Sequence, residues 1–174
     1  MSEAVNVPGV EPAALRILVD TNVWVDSFLG HRAGHGAALA FLAEAQRNAA
    51  QLIYPVGALQ DVFAILIMEL KRKTRETREL DETCMNVIRR AAWGCIDALR
   101  EGATAVGADE SDTWLACKYR KLNWDLEDNM VLAAAKRAEA DYLVTSDRML
   151  ISKANVAAMT PADMAALLEA GAGR

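Results

Sequence analysis

The sequence lacks the features of a membrane or secreted protein. None of its apolar runs approaches the roughly 20 residues that cross a bilayer, and residues 62–68, VFAILIM, have the length of a core-helix segment. The N-terminal stretch has no basic segment followed by an apolar one, so we expect no secretory signal. Only three cysteines occur, widely spaced, which argues against a disulfide framework or zinc site and favours buried thiols in a reducing compartment. We therefore expect a cytoplasmic protein with no membrane association.

An excess of positive charge is also absent. The 174 residues carry a net charge of −5, with 53% hydrophobic and 25% charged residues. This composition is typical of a globular domain with a substantial core. The negative charge argues against broad nonspecific binding to nucleic acids, although it is compatible with a local basic face.

Short apolar segments alternate with helical patterns along the chain. Strands are predicted at 16–20, 51–55, 103–106 and 142–145, with a last candidate at 155–158. Helices are predicted at about 35–50, 57–80, 82–101, 109–121, 125–140, from 147 onwards, and at 160–170. This alternation predicts an α/β fold with a mainly parallel sheet of four or five strands, flanked by helices. We expect one domain at 15–170, with a flexible tail at 1–14 and a frayed end at 171–174.

Two aspartates lie at or just beyond the ends of predicted strands. Asp20 follows the segment RILV, and Asp147 follows the segment YLVTS. In open parallel sheets, ligands bind outside the carboxyl ends of the strands, so both positions suit a binding site. Each residue also has a structural explanation. Asp20 can cap the turn at Thr21 and Asn22, and Asp147 can cap the helix that follows it.

Three more aspartates lie near helix starts. Asp125 and Asp128 are three residues apart in DLEDNMVLAAAK, where they can form a variant capping box that the helix dipole favours. Asp128 faces the core, because Leu132 follows at i+4, so it is the better candidate ligand and Asp125 the cap or helper. Asp61 is the one acid in the first turns of an apolar helix. It either complements the helix dipole or requires a cationic partner.

The combination of these acids carries more weight than any one of them. Carboxylates brought close together at low dielectric repel strongly, and they stay ionised together only around a cation. An all-oxygen site suits Mg²⁺ or Mn²⁺, which also bind phosphate oxygens. We therefore predict a divalent metal site at the end of a parallel sheet. Its predicted ligands are Asp20, Asp61, Asp128 and Asp147.

The order of these residues resembles the PIN-domain nucleases, and most of all the VapC-like toxins of toxin–antitoxin pairs. The resemblance rests on VDTNVW at 19–24, LQDVF at 59–63 and the segment 125–147, and it extends over about 15–165. It implies a PIN-like domain with a helical insert at about 71–101, which toxin members often keep shorter. The second acid of the family is usually glutamate, whereas this chain has the shorter Asp61.

The resemblance also implies an activity. It implies that Asp20, Asp61, Asp128 and Asp147 bind Mg²⁺ or Mn²⁺ and catalyse hydrolysis of RNA phosphodiester bonds. Asn22 and Thr145 match the polar helpers of the family, and Asp125 is a supporting residue. The implied partners are RNA, an antitoxin protein and a second copy of the chain. The alternative is a catalytically weak or inactive PIN fold that binds RNA or protein, and the aspartate at position 61 keeps this alternative open.

An RNA substrate requires positive charge beside the acidic site. The candidate RNA-binding residues are Arg72, Lys73, Arg75, Lys118 and Arg120. The first three belong to a stretch, KRKTRETREL, that is also compatible with a solvated helix face of mixed charge. The four tryptophans are expected to pack in the core or at its edge.

Overall fold

Five short strands form one parallel sheet. The structure, a computed structural model, describes residues 14–172. The strands are β1 (Arg16–Val19), β2 (Gln51–Pro55), β3 (Thr104–Val106), β4 (Tyr142–Val144) and β5 (Ala158–Met159). Their order in the sheet is β3-β2-β1-β4-β5, and each neighbouring pair is parallel. The predicted α/β fold with a parallel sheet is therefore confirmed, and β1 lies at its centre.

Helices connect the strands and cover both faces of the sheet. Within residues 14–172 they are α1 (Thr21–Phe28), α2 (His35–Arg47), α3 (Ala58–Arg75), α4 (Glu82–Gly102), α5 (Glu110–Tyr119), α6 (Leu126–Arg137), α7 (Arg148–Lys153) and α8 (Pro161–Ala172). The predicted helices appear with shifted ends, and α1 is an addition to them.

Helix α1 begins directly after β1, where the sequence predicted only a capped turn. The backbone of Asp20 is extended, and its side chain accepts the N–H of Thr21, so Asp20 is the N-cap. Val23, Trp24 and Val25 are buried along this helix. Their burial outweighs the weak helix propensity of β-branched and aromatic residues, which explains why the local pattern did not predict the helix.

The sheet separates two apolar layers. Alternate residues of β1 point to opposite faces, so Ile17 and Val19 pack with the layer of α1, α2, α3, α4 and α8. Leu18 packs on the other face, with α6 and Leu150 of α7. All three β1 side chains have no exposed surface. This double burial explains the continuous apolar run before Asp20.

The helical region after β2 differs in detail from its prediction. Helix α3 ends at Arg75, short of the predicted 80, and α4 begins after Asp81, whose side chain accepts the N–H of Cys84 at 2.7 Å. The region 71–101 therefore holds the end of α3 and most of α4, and these two helices pack together. Its status as an insert relative to the family stays a prediction. The tail predicted at 1–14 lies outside the described residues except for its last residue. Of the frayed end predicted at 171–174, residues 171 and 172 belong to α8, and the other two lie outside the described residues.

The described part of the chain has no helix that is long and apolar enough to cross a membrane. Its three cysteines are free, and Cys117 is exposed, contrary to the expectation of buried thiols. Trp124 has 87% of its surface exposed. The expectation that all four tryptophans pack in or around the core is therefore wrong for Trp124.

Candidate metal centre

An acidic cavity of about 240 Å³ opens at the carboxyl ends of β1 and β4. Its charged lining consists of Asp20, Arg32, Asp125, Glu127, Asp128 and Asp147. Since β1 and β4 are hydrogen-bonded neighbours, segments that are far apart in the chain meet at this edge, as the rule for parallel sheets requires. Five carboxylates and one guanidinium give the cavity a strongly negative charge.

Asp20 is held by three hydrogen bonds. Its Oδ1 accepts the N–H of Thr21 at 2.7 Å, which caps α1. Its Oδ2 accepts from Asn22 Nδ2 and from Thr145 Oγ1, each at 2.7 Å. Only 8% of the residue is exposed. Asp20 therefore caps α1 and also lines the acidic cavity.

Thr145 and Asn22 connect the two strand ends. The Thr145 hydroxyl has no exposed surface and accepts the N–H of Asp147 at 3.0 Å. Asn22 Nδ2 also donates to Thr145 Oγ1 at 3.0 Å, and its Oδ1 accepts the N–H of Ser146 at 3.0 Å. These bonds fix Asp20 and Asp147 relative to each other. The supporting role of Asn22 and Thr145 in the site stays a prediction.

The surroundings of Asp20 disfavour its ionised form. Burial raises the pKa of its carboxyl to about 6, although the hydrogen bonds from Thr145 and Thr21 oppose the shift. The negative charges of Asp128 and Glu127 raise the pKa further. Burial of the carboxyl together with the neighbouring negative charges explains this shift.

Asp128 and Asp125 begin α6 as the sequence predicted. Asp125 is the N-cap, and its Oδ1 accepts the N–H groups of Glu127 at 2.9 Å and Asp128 at 3.3 Å. Asp128 is half-buried, and burial is the main cause that raises the pKa of its carboxyl. Its Oδ2 accepts from Asn123 Nδ2 at 2.5 Å, and Lys153 Nζ donates to Asn123 Oδ1 at 3.1 Å. A buried amide therefore orients Asp128.

Asp147 is the N-cap of α7. Its Oδ1 accepts the N–H groups of Met149 at 2.7 Å and Leu150 at 3.2 Å. Within residues 14–172 its Oδ2 accepts no hydrogen bond, so one oxygen is available to a ligand in the cavity.

Asp61 does not line the acidic cavity. It is exposed on the first turn of α3 and borders a neighbouring cavity of about 190 Å³, which it shares with Glu127. The structure thus brings together three of the four predicted ligands and leaves Asp61 at the side. Glu127 occupies the intervening place, where burial and then the charge of Asp61 raise the pKa of its carboxyl.

Sequence reasoning missed three charged residues. Glu127 lies between Asp125 and Asp128 and was not predicted as a site residue. Its position in the first turn of α6, next to the Asp125 cap, was the feature of the sequence that could have indicated it. Arg32 lines the acidic cavity, and its Nε donates to the buried carboxylate of Asp26. No local pattern marked this pair, because the prediction did not include α1, which carries Asp26.

The predicted RNA-binding residues are exposed, but several are already paired. Arg72 forms ion pairs with Glu69 at 2.7 Å and with Glu76 at 3.2 Å, and Lys73 pairs with Glu76 at 3.0 Å. These pairs reduce the positive charge that α3 presents to a polyanion. Lys118 lies over the Trp114 ring, with 3.8 Å between its Nζ and the ring centroid. Arg75 and Arg120 are also exposed.

The acidic side chains that line the cavity offer only oxygen atoms to a cation. Among the described residues, no three His, Cys, Asp or Glu side chains lie close enough together to enclose a metal ion. Mg²⁺ does not require such a cage, since it usually binds through one or two carboxylates and keeps several waters. The oxygen-only donors and the raised pKa of Asp20 are therefore compatible with a hydrated Mg²⁺ or Mn²⁺ ion.

The fold and the acidic edge define an α/β domain of a recognisable class. A sequence profile described as PIN domain matches residues 16–149. The chain therefore belongs to the PIN-domain family, as the resemblance predicted. No curated protein sequence matches it.

Solved structures share this fold at low sequence identity. PAE2754 from Pyrobaculum aerophilum is 16% identical, with a TM-score of 0.58 and 90% of each chain covered. VapC20 from Mycobacterium tuberculosis, a sarcin–ricin loop cleaving toxin, is 14% identical, with a TM-score of 0.55, and the match covers 78% of this chain and 93% of the toxin. VapBC2 from Rickettsia felis, bound to a DNA fragment from its promoter, is 13% identical, with a TM-score of 0.53 and coverages of 84% and 98%. At these identities the similarity shows the fold.

Proposed function

We propose that this protein is a divalent-metal-dependent endoribonuclease and the toxin of a toxin–antitoxin pair. The observation that carries the proposal is the convergence of five carboxylates on one cavity at the carboxyl edge of a PIN-domain sheet. The M. tuberculosis neighbour is a sarcin–ricin loop cleaving toxin, which supports RNA as the substrate class. VapBC2 supports an antitoxin as the protein partner, as does FitAB, a further structural neighbour that is 20% identical with a TM-score of 0.51 and was solved bound to an IR36 DNA fragment.

Asp20, Asp128 and Asp147 would hold Mg²⁺ or Mn²⁺ in the cavity, with Glu127 beside them and Asp61 in the neighbouring cavity. When bound, such a cation supplies Lewis-acid chemistry, lowering the pKa of water and neutralising charge on phosphate oxygens. Thr145 and Asn22 orient Asp20 by hydrogen bonds. Asn123 orients Asp128 in the same way. These contacts preorganise the acids, so little reorganisation is required when substrate binds.

Trp124 offers a surface for an unpaired base. It is 87% exposed and precedes Asp125, which lines the acidic cavity. Exposed tryptophan beside a nucleic-acid site is well suited to stacking on a base. Tyr119, which lies between the candidate RNA-binding residues Lys118 and Arg120, packs against the core layer of α6 and is less available for stacking.

A second candidate function is a catalytically weak PIN fold that binds RNA or protein. The position of Asp61 outside the acidic cavity favours it, because the residue at the place of the family's second acid then does not line that cavity. The two candidates differ in whether the protein cleaves RNA.

Cleavage of a labelled, structured RNA pool in Mn²⁺ tests the proposal. We expect cleavage by the wild-type protein and loss of cleavage with EDTA or with Asp20→Asn. Asp97→Asn, an exposed acid on α4, is the matched control and should cleave like the wild type. Cleavage that survives Asp20→Asn would indicate a contaminating nuclease. Mn²⁺ binding without cleavage of any RNA in the pool would favour the second candidate.

A further inference from the structure

We propose that Arg32 binds a phosphate group of the RNA backbone beside the acidic cavity, and that buried Asp26 holds it in place. The inference rests on the proposed function and adds a residue that the family resemblance did not indicate. It starts from charge: among the described residues that line the acidic cavity, Arg32 is the only cation.

Arg32 has no role in holding a metal ion. A guanidinium has no lone pair to donate, and its positive charge opposes a cation nearby. It also does not neutralise the cavity acids, because within residues 14–172 its ion pair is with Asp26 and not with Asp20, Asp128 or Asp147. A cation that faces a metal site without pairing with its ligands is best explained by an anionic substrate.

The anchor of Arg32 is unusually well fixed. Asp26 lies on α1 with 4% of its surface exposed, and its Oδ1 accepts from Arg32 Nε. Its Oδ2 accepts from Ser146 Oγ at 3.2 Å, in the loop that leads to Asp147. A Cβ atom at Gly34 would overlap the Asp26 carboxylate, so glycine at this position permits the close approach. The anchor thus connects α1, the loop before α2 and the end of β4.

The donors of Arg32 are only partly used. Its Nε is bonded to Asp26, whereas its two terminal nitrogens donate to no described residue. Two parallel N–H donors match two oxygens of a phosphate, which is the geometry that makes arginine a preferred phosphate ligand. Its side chain is 34% exposed, so these donors are accessible to a substrate in the cavity.

The chain contains a second arginine that is paired with a buried aspartate, but whose terminal nitrogens are both already bonded. Arg137 binds the buried carboxylate of Asp112 through Nη1 and Asp109 through Nη2 at 2.8 Å, so both terminal nitrogens are used. Its side chain is 32% exposed, close to the value for Arg32, and Asp112 is as buried as Asp26. Arg137 does not line the acidic cavity, which makes it the internal control.

The test compares Arg32→Ala and Arg32→Lys with Arg137→Ala. Mn²⁺ binding and binding of uridine 5′-monophosphate in Mn²⁺ are measured by calorimetry, and RNA cleavage by single-turnover kinetics. We expect Arg32→Ala to slow cleavage by about 10²–10³-fold, as for loss of one preorganised donor to a developing anion. We expect its nucleotide affinity to fall by about tenfold or more, with Mn²⁺ affinity unchanged or higher because a neighbouring positive charge is gone.

The conservative variant and the control separate phosphate binding from folding. Arg32→Lys should recover only part of the loss, since one ammonium cannot contact both Asp26 and two phosphate oxygens. Guanidinium ion at a non-denaturing concentration should partly restore cleavage by Arg32→Ala. Arg137→Ala should lower the melting temperature yet cleave and bind nucleotide within about threefold of the wild type.

The outcomes are distinct for the two proposals. Arg32→Ala that cleaves and binds nucleotide within about threefold of an active wild type would overturn the phosphate role. Equal losses of cleavage and nucleotide affinity in Arg32→Ala and Arg137→Ala would also overturn it, and would indicate that Arg32 contributes only to folding. If the wild type binds Mn²⁺ and nucleotide but does not cleave RNA, the nucleotide affinity of Arg32→Ala relative to the wild type decides whether Arg32 binds phosphate. A wild type that binds neither Mn²⁺ nor nucleotide would overturn the proposed function and this inference with it.

Discussion

The hydroxyl of Thr145 lies 2.7 Å from Asp20 Oδ2, although the two residues are 125 positions apart in the sequence. This hydroxyl also accepts from Asn22 Nδ2 and from the Asp147 N–H. One buried oxygen therefore connects the residues that follow β1 with those that follow β4. Because it forms three hydrogen bonds, its removal tests how much they contribute to stability.

Thr145→Val should destabilise the protein without changing its core volume much. The substitution leaves Asn22 and the Asp147 N–H without their acceptor, and each lost buried bond costs about 1–3 kcal/mol. Urea denaturation should show a lower midpoint, and Mn²⁺ binding should weaken because Asp147 is less fixed. Thr145→Ser keeps the hydroxyl and should lie near the wild type. Equal stability of Thr145→Val and the wild type would show that the hydroxyl is not organising this edge.

Asp20 should make the metal-free protein less stable as pH rises. Its folded pKa is about 6, above the value of about 3.9 expected in the unfolded chain. The protonated form therefore favours folding, and this advantage is lost between about pH 4 and pH 6, by about 3 kcal/mol in total. The measurement is the difference in unfolding free energy between the wild type and Asp20→Asn, in EDTA, across this range. A difference that does not vary with pH would contradict the raised pKa.

Glu127 should contribute more to metal binding than Asp61. Glu127 lines the acidic cavity, whereas Asp61 borders the neighbouring one. We expect Glu127→Gln to weaken Mn²⁺ binding by about tenfold or more, and Asp61→Asn to weaken it less. Asp61→Glu adds reach towards the cavity and should strengthen binding. Calorimetry with Mn²⁺ gives the affinity of each variant. A larger loss of affinity in Asp61→Asn than in Glu127→Gln would contradict this prediction and indicate that Asp61 binds the metal directly.

Gly34→Ala should disturb the site through Asp26. The added methyl overlaps the Asp26 carboxylate, and such overpacking typically costs about 1–3 kcal/mol. For a chain of this size, the melting temperature should fall by about 2–4 °C per kcal/mol. Gly36→Ala is the matched control, because a Cβ there meets no atom within 4 Å. Equal melting temperatures for the two variants would show that Asp26 moves without cost.

Trp124→Ala should weaken single-stranded RNA binding while leaving stability unchanged. Stacking on one base is worth about 1–3 kcal/mol, and an 87% exposed side chain contributes little to the core. Fluorescence anisotropy of a labelled oligonucleotide, with Asp20→Asn as the background to prevent cleavage, gives the affinity. Trp93→Ala, at 58% exposure on α4, is the control. Loss of affinity in both variants would indicate a nonspecific effect.

Local chemistry explains which parts were predictable from the sequence. The apolar run before Asp20 and the acidic start of α6 are short-range patterns, and they predicted the strands, the caps and the position of Asp128. The start of α8 depends on a similarly short-range contact, in which the Thr160 hydroxyl accepts the N–H of Asp163 at 3.2 Å. These elements form because neighbouring residues determine them.

The features that the sequence did not predict depend on contacts between segments that are distant in the chain. Helix α1 forms because Trp24 and its neighbours are buried, a tertiary effect that opposes their intrinsic preference. The pairing of Arg32 with Asp26 requires that helix and the close approach at Gly34. The position of Asp61 at the side of the cavity depends on how α3 lies against the sheet. None of these has a signature in a window of neighbouring residues.

The central position of β1 has a consequence for synthesis of the chain. Its two neighbours are β2, made soon after it, and β4, made after more than two thirds of the chain. Asp20 leaves the ribosome early, but the strand that brings Asp147 beside it emerges late. A nascent chain therefore carries a half-formed sheet with one unpaired central edge and no complete acidic cavity. Any activity of this edge begins only after β4 has emerged from the ribosome.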